Sequence, residues 1–435
     1  MEKSLFHFRQ IVFYYYVRRT IHTSNFTEGM GDAMNRLLFV DTSPQNIAAY
    51  SMLFVNNTKE WECRFADSIK TAFDELSYSN FDIVVTDVKM PVLNGVPLLE
   101  TIAQMYPDII RVVLIPSLSA DYPKHLVKYA HRIIVRPDSY EKLETLVGRI
   151  FCLYKTIMHP QAIKFIDGLE TIPSLPKVYG DLVAELESPS PSVKKAGALI
   201  AADIGMSASI LKMVNSAYFG LSERITSPEF AVSLLGLDIV QGLVLTAHLF
   251  SAFSCAETKL LHLETIVDHC LITGFLAKEI AKHENLPTSV VDSLHISGIL
   301  HDIGQLIFAS HSPKLYKQVI DIAIKEKRPL FEIERDLFGV IHAEIGAYLL
   351  GQWGLPEIVI ELIAYHHFDE TPDYIGLELS VLKAADFYSK EVLSASVHSA
   401  DTSENVFGSG KILTLKKEEW YSICIDAIQK TTMKI

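Results

Sequence analysis

The stretch Ile299-Leu300-His301-Asp302-Ile303-Gly304 sets a histidine beside an aspartate inside an otherwise apolar frame. Ionisable side chains in such surroundings need a partner, a hydrogen bond or an ion. The segment Leu294 to Phe308 reads as one helix, on which neighbours diverge by about 100°. Both members of the dyad can then reach a site between adjacent helices.

Working outward, further segments carry the same feature. A helix over Thr265 to His283 puts His269, Ile272, Leu276 and Ile280 on one stripe. In Ile341 to Leu350, His342 shares a face with Ile345 and Leu349; in Pro356 to His367, His366 does so with Leu362 and Ile363. Leu379, Leu382 and Asp386 align in the same way. A single histidine on an apolar face is more often a hydrogen-bonded core residue than a ligand. Five helices that each direct a His or Asp inward form a set, and imidazole with carboxylate suits zinc, iron, manganese or nickel. Helical bundles place metal sites between facing helices, and water on such a metal becomes a nucleophile suited to phosphoester hydrolysis.

Helical spacing extends through Leu182 to Leu186, Ala196 to Ile204, Ser207 to Asn215 and Ala231 to Phe250, so the chain after Gln161 reads as all-helical. Upstream the pattern differs. From Arg36 to Gly148, the apolar runs Leu37 to Val40, Phe81 to Val85, Val112 to Ile115 and Ile133 to Val135 alternate with helical segments. Continuous runs suit strands buried on both faces, hence a doubly wound α/β domain with a parallel sheet. The expected organisation is an extension over 1–34, an α/β domain over 35–150, a connecting helix over 151–162, a helical domain over 163–390, and a flexible segment with a closing helix, Lys417 to Lys430, over 391–435. Met30 and Met34 lie just before the first strand and leave the start of translation open.

A length of 435 residues asks for more than one core. The net charge of -13 excludes a non-specific nucleic-acid binder, which needs a cationic surface. The five cysteines form no CxxC pair, which points to a reducing compartment. The apolar run Ile11 to Val17 is too short to span a membrane, and Tyr14, Tyr15, Tyr16, Arg18 and Arg19 break any secretory pattern. The expected location is the cytoplasm.

In an open parallel sheet, ligands bind beyond the carboxyl ends of the strands, where Asp41 and Asp87 fall. Such a pair could hold Mg2+, and one of them could attack a phosphoryl group. Leu38-Phe39-Val40-Asp41 and Thr86-Asp87-Val88-Lys89-Met90-Pro91 with Asn94-Gly95 resemble the response-regulator receiver family. The resemblance implies that Asp87 is the phosphorylation site, Asp41 a magnesium ligand and Lys89 a main-chain carbonyl ligand. Thr42 stands where a second acid normally follows, Arg136 where a phosphate-clamping lysine does, and Ile115 or Pro116 where a hydroxyl senses the phosphate, with Ser117 next in line. The other reading is a receiver fold kept as an interaction platform.

The order His269, His301-Asp302, Asp386 resembles the metal signature of the HD phosphohydrolase superfamily, with His342, His366 and His367 similar to the extra ligands of its bimetallic members. More specifically, Ile172-Pro173-Ser174-Leu175-Pro176, the stretch Leu199 to Met206 with Asp203, Lys212 to Gly220, Ala231 to Gly236 and Trp353-Gly354-Leu355-Pro356 resemble the HDOD family. That resemblance implies a regulatory domain, generally without demonstrated catalysis. Gln305 stands where hydrolases of this type commonly carry a lysine, and Phe368-Asp369-Glu370-Thr371-Pro372 lacks the Gly-Tyr-Pro of the cyclic-dinucleotide-hydrolysing branch. Asn215-Ser216-Ala217 reads as a helix terminus. The combination implies a regulator of the two-component type, with a histidine kinase or signalling protein upstream and output by protein or nucleotide binding. The alternative is a metal-dependent phosphohydrolase acting on a cyclic dinucleotide or other nucleotide phosphate. A transcription factor is disfavoured, since no helix-turn-helix is found.

Overall fold

The computed structural model describes residues 35–55, 61–90, 98–116, 129–136, 140–169, 176–186, 188, 190–215, 225–253, 263–369, 371–395 and 411–432. Outside these lie the 1–34 extension, the loop with Asn94-Gly95, Ser117, residues 172–175 of the Ile172 to Pro176 motif, Ser216 to Gly220, and residues 396–410 of the segment expected to be flexible. The chain divides into two compact units, one of residues 1–114 with 122–144, the other of 115–121 with 145–435.

The first unit is built on strands β1 (Asn35–Val40), β2 (Trp61–Ala66), β3 (Ile83–Asp87), β4 (Ile110–Ile115) and β5 (Arg132–Val135), in the order β2-β1-β3-β4-β5. β1 runs parallel to β2 and β3, and β3 parallel to β4, with Leu37 opposite both Cys63 and Ile83. The apolar runs are buried on both faces, as in Leu37, Leu38 and Phe39, none of which is exposed. Helices α1 (Pro44–Val55), α2 (Ile69–Tyr78) and α3 (Leu98–Met105) connect the strands. A reciprocal cap between Ser68 and Thr71 starts α2. The strand order reverses beside β1, so the adjacent ends of β1 and β3 bring Asp41 and Asp87 to one edge.

Helix α4 (Tyr140–Ile157) contains the division between the units, and its residues from Thr145 belong to the second. The second unit is helical: α5 (Pro160–Asp167), α6 (Lys177–Leu186), α7 (Val193–Ala201), α8 (Ile204–Val214), α9 (Pro228–Leu235), α10 (Leu237–Phe253), α11 (Leu263–His283), α12 (Thr288–Leu300), α13 (Ile303–His311), α14 (Pro313–Glu326), α15 (Leu330–Phe338), α16 (His342–Gln352), α17 (Glu357–Tyr365), α18 (Gly376–Ala395) and α19 (Lys411–Thr432). No single described helix is long and apolar enough to cross a membrane.

Local chemistry explains several boundaries. Asp203 caps α8 by accepting from the Met206 amide, which gives that acid a structural role. Asn215 closes the same helix: its amide donates to the carbonyls of Leu211 and Ile225, and its oxygen accepts from the Ile225 amide. The helical pattern over Ala231 to Phe250 is two helices, because Gly236 adopts φ 86, a conformation that interrupts the helix at little cost only for glycine. Within the second unit, fully buried Glu361 accepts both arms of the Arg149 guanidinium and the Tyr374 hydroxyl, so its charge is neutralised where water is absent.

The helix pair α11 and α12 crosses at glycines. A Cβ on Gly298 would lie 2.5 Å from the Gly274 Cα, so the backbones approach more closely than any larger residue permits. That crossing aligns His269 on α11 with the end of α12.

Candidate metal centre

The single helix expected over Leu294 to Phe308 is broken at the dyad. α12 ends at Leu300, α13 starts at Ile303, and His301 and Asp302 occupy the turn between them. α13 starts directly against α16: a Cβ on Gly304 would lie 2.0 Å from the His342 carbonyl oxygen. His342 is likewise the first residue of α16, and His366 and His367 follow the last residue of α17. His269 and Asp386 sit in helix interiors, as their stripes imply. The ligand candidates converge mainly because helix ends meet.

All seven residues come together. His269 Nε2 lies 3.1 Å from His301 Nε2 and 3.0 Å from Asp386 Oδ1. Asp302 Oδ2 faces His301 and His269 at 3.4 and 3.5 Å, while its Oδ1 lies 3.0 Å from His342 Nε2. His367 Nε2 is 3.0 Å from His342 Nε2. Two donor groups result, His269 with His301 and Asp386, and His342 with His366, His367 and Asp302, and Asp302 also faces the first group. Cys270 forms a further donor group with His301 and Asp302.

The far side of each ring decides what the near side offers. The Nδ1 of His301 contacts the Gly298 carbonyl at 2.8 Å, and that of His366 the Ile363 carbonyl at 2.6 Å. A carbonyl only accepts, so Nδ1 carries the hydrogen in both rings and Nε2 presents a lone pair inward. His342 Nδ1 meets Glu334 Oε2 at 2.6 Å, with the same consequence. Ser389 donates its hydroxyl to the Asp386 carbonyl and so accepts from His269 Nδ1 at 3.0 Å. Metal-ligating histidines are held by outer partners of this kind. His366 Nε2 is buried without a hydrogen-bond partner, and Asp386 Oδ1 has imidazole nitrogens beside it, His269 Nε2 at 3.0 Å, a donor set that suits a cation. The residues fit a transition metal.

Without metal, protons fill part of that need. Burial opposes charging of His342, but Glu334 and Asp302 outweigh it and carry its pKa up to about 10. Burial likewise opposes charging of His301, and Asp302 and Asp386 push it well above the ordinary value. Burial and the neighbouring His301 and His342 depress His366 to about 3. Burial raises the pKa of Asp302, yet His301 and His342 bring it well below the usual carboxylate range.

Glu334, Ser389 and Lys390 were not legible beforehand as parts of this site. Glu334 is fully buried and accepts from the Tyr316 hydroxyl and the His342 amide as well as the His342 ring. Ser389 follows Asp386 by one helical turn, and that spacing could have revealed it. Lys390, with 56% of its side chain exposed, donates to Asp386 Oδ2 at 2.8 Å and puts a cation at the solvent edge of the cluster.

In the first unit, Asp41, Asp87 and Arg136 also meet. Arg136 Nη2 contacts Asp41 Oδ2 at 3.3 Å and Asp87 Oδ2. The Lys89 amide donates to Asp87 Oδ1 at 2.7 Å.

Comparisons with known proteins find two domains. Residues 37–147 match the response regulator receiver domain, and residues 172–368 match the HDOD domain. An uncharacterized protein of Treponema pallidum (strain Nichols) is 30% identical over 206 residues, which cover 47% of this chain but only 39% of that relative. Among solved structures, a Shewanella amazonensis SB2B protein provisionally described as a phosphohydrolase is similar at 19% identity, covering 64% of this chain and 97% of that one, with a TM-score of 0.48. An HDOD domain protein of unknown function from Geobacter sulfurreducens is similar at 22% identity, covering 61% and 97%, with a TM-score of 0.44. Neither structural likeness bears on activity.

Proposed function

We propose, from a chain that joins a response regulator receiver domain to an HDOD domain, that it is a cytoplasmic signal-transduction regulator whose helical half holds a divalent transition metal and responds to a phosphate-bearing ligand such as a nucleotide, or to a protein. Its input comes from a histidine kinase or another signalling protein that engages the receiver half. One observation carries the metal reading. His269, His301, His342 and His366 each fix Nδ1 on an outer partner and turn Nε2 toward a common interior. His269, His301, Asp302 and Asp386 are the principal ligands, joined by His342, His366 and His367. The position of Lys390 supports an anionic ligand at the solvent edge.

Elemental analysis tests the assignment. The parent protein purified in metal-replete buffer is expected to carry stoichiometric transition metal, and a His301→Ala, Asp302→Ala variant to carry none. A metal-free parent would overturn the reading.

A second reading, hydrolysis of a cyclic dinucleotide or other nucleotide phosphate, is favoured by Asp302, whose two oxygens face the two donor groups. Metal bound there would lower the pKa of a coordinated water and polarise a phosphoryl oxygen. Release of mononucleotide by the parent and not by the variant decides for it.

A further inference from the structure

The acidic edge of the receiver half differs from what a magnesium-dependent acceptor site requires. Mg2+ takes oxygen ligands in near-ideal octahedral geometry at about 2.0–2.1 Å. Here every carboxylate oxygen of the pair already accepts from the protein. Asp41 Oδ1 accepts from the Ser43 amide at 2.8 Å, and its Oδ2 from Asn46 Nδ2 at 2.8 Å, from the Tyr50 hydroxyl at 3.4 Å and from Arg136. Asp87 Oδ1 accepts from the Lys89 amide, and its Oδ2 from Arg136.

The donor that joins the acids is a single nitrogen, Arg136 Nη2, which contacts both carboxylates. Residue 42, next to Asp41, is an exposed threonine and adds no third carboxylate. With two acids instead of three, the charge available to hold a dication falls. A guanidinium does not lose its proton in proteins, so Arg136 cannot vacate the pocket by deprotonation. Admitting Mg2+ means breaking two charge-assisted contacts between partly buried groups, since the side chains of Arg136, Asp41 and Asp87 are 29%, 5% and 15% exposed.

We propose that Arg136 is the resident cation of the receiver pocket, holding Asp41 and Asp87 together in place of Mg2+, so that this half works as a binding platform and not by phosphorylation of Asp87.

The test uses the full-length parent, a Thr42→Asp, Arg136→Lys variant and that variant with Asp87→Ala, with the parent carrying Asp41→Ala or Asp87→Ala as controls. Each is titrated with millimolar Mg2+ by calorimetry and treated with acetyl phosphate and Mg2+ before intact-mass measurement. Binding heat that persists in an Asp41→Ala protein arises outside the pocket and is subtracted. The parent is expected to show neither pocket heat nor an added phosphoryl group. The double variant is expected to gain both, and Asp87→Ala to remove the phosphoryl group. Pocket binding of Mg2+ by the parent, or a phosphoryl group on the parent that Asp87→Ala abolishes, would overturn the proposal. A double variant that unfolds at the parent's temperature yet stays as inert as the parent would overturn the role given to Arg136.

Discussion

The acid pocket of the first unit and the histidine cluster of the second are both built where chain segments end, and both gather carboxylates, yet their hydrogen bonds run in opposite senses. Around Asp41 and Asp87 the donors point inward and each acidic oxygen accepts from at least one of them. In the cluster outer partners hold Nδ1 of His301, His342 and His366, while the inward contacts run between the candidate ligands themselves, His269 with His301 and His342 with His367, and His366 Nε2 has none. Buried polar groups that are fully satisfied make a fixed structure, whereas groups oriented from behind and unsatisfied in front make a binding site. The count of acidic and basic residues would not separate the two; the direction of their hydrogen bonds does.

The contrast can be broken most severely at Glu334. Replacing it with Gln keeps the volume but weakens the hold on His342 Nδ1, and a loss of about 10–100-fold in metal affinity is expected, the usual effect of removing an outer partner. Competition with a chromophoric chelator reads this directly. Unchanged affinity would mean that the outer hydrogen bonds do not organise the centre.

A smaller effect is expected in pH dependence. In metal-free protein, His342 is protonated when folded up to about 10 and releases its proton when unfolded above about 6.5, so stability falls as pH rises through that window. His366, neutral when folded down to about 3, takes up a proton on unfolding below about 6.5, so stability also falls as pH drops through that lower window. Each group contributes a slope of up to about 1.4 kcal/mol per pH unit. Thermal unfolding of chelator-treated protein should therefore peak near pH 6.5, and metal should flatten the alkaline side, because it replaces the proton on His342. Superimposable profiles with and without metal would sink the cluster as a metal site.

The smallest effect falls in the other region. Asn46→Ala removes one of the donors to Asp41 Oδ2 while Arg136 remains, and a loss of about 1 kcal/mol in denaturant unfolding is expected. A much larger loss would show that Asn46, and not Arg136, is the main donor that fixes Asp41.

Much of the architecture was legible in the sequence because its strand runs and helix stripes are long. Leu37 to Val40 and Ile83 to Val85 read as strands buried on both faces, and the stripe through His269, Ile272, Leu276 and Ile280 faces the core as expected. The break at His301-Asp302 was not legible, since periodicity runs straight through it and the close approach of Gly304 to the His342 backbone is a tertiary contact that periodicity does not carry. Glu334 was hidden for a similar reason: its partner is eight residues away on a different helix, at no spacing that one helix would produce.

The crossing of Gly298 on Gly274 also bears on the order in which the molecule assembles. The donors of the cluster are spread from His269 to Asp386, so the ends of long intervening loops must be closed before they meet. Contacts so distant along the chain form late in folding. The glycine crossing brings α11 and α12 into register by backbone contact, without the help of any ion. The ion is thus expected to load onto a chain already folded and act as a late clip on finished helices, so that refolding in chelator should recover the helical signal at nearly the same rate as refolding with metal.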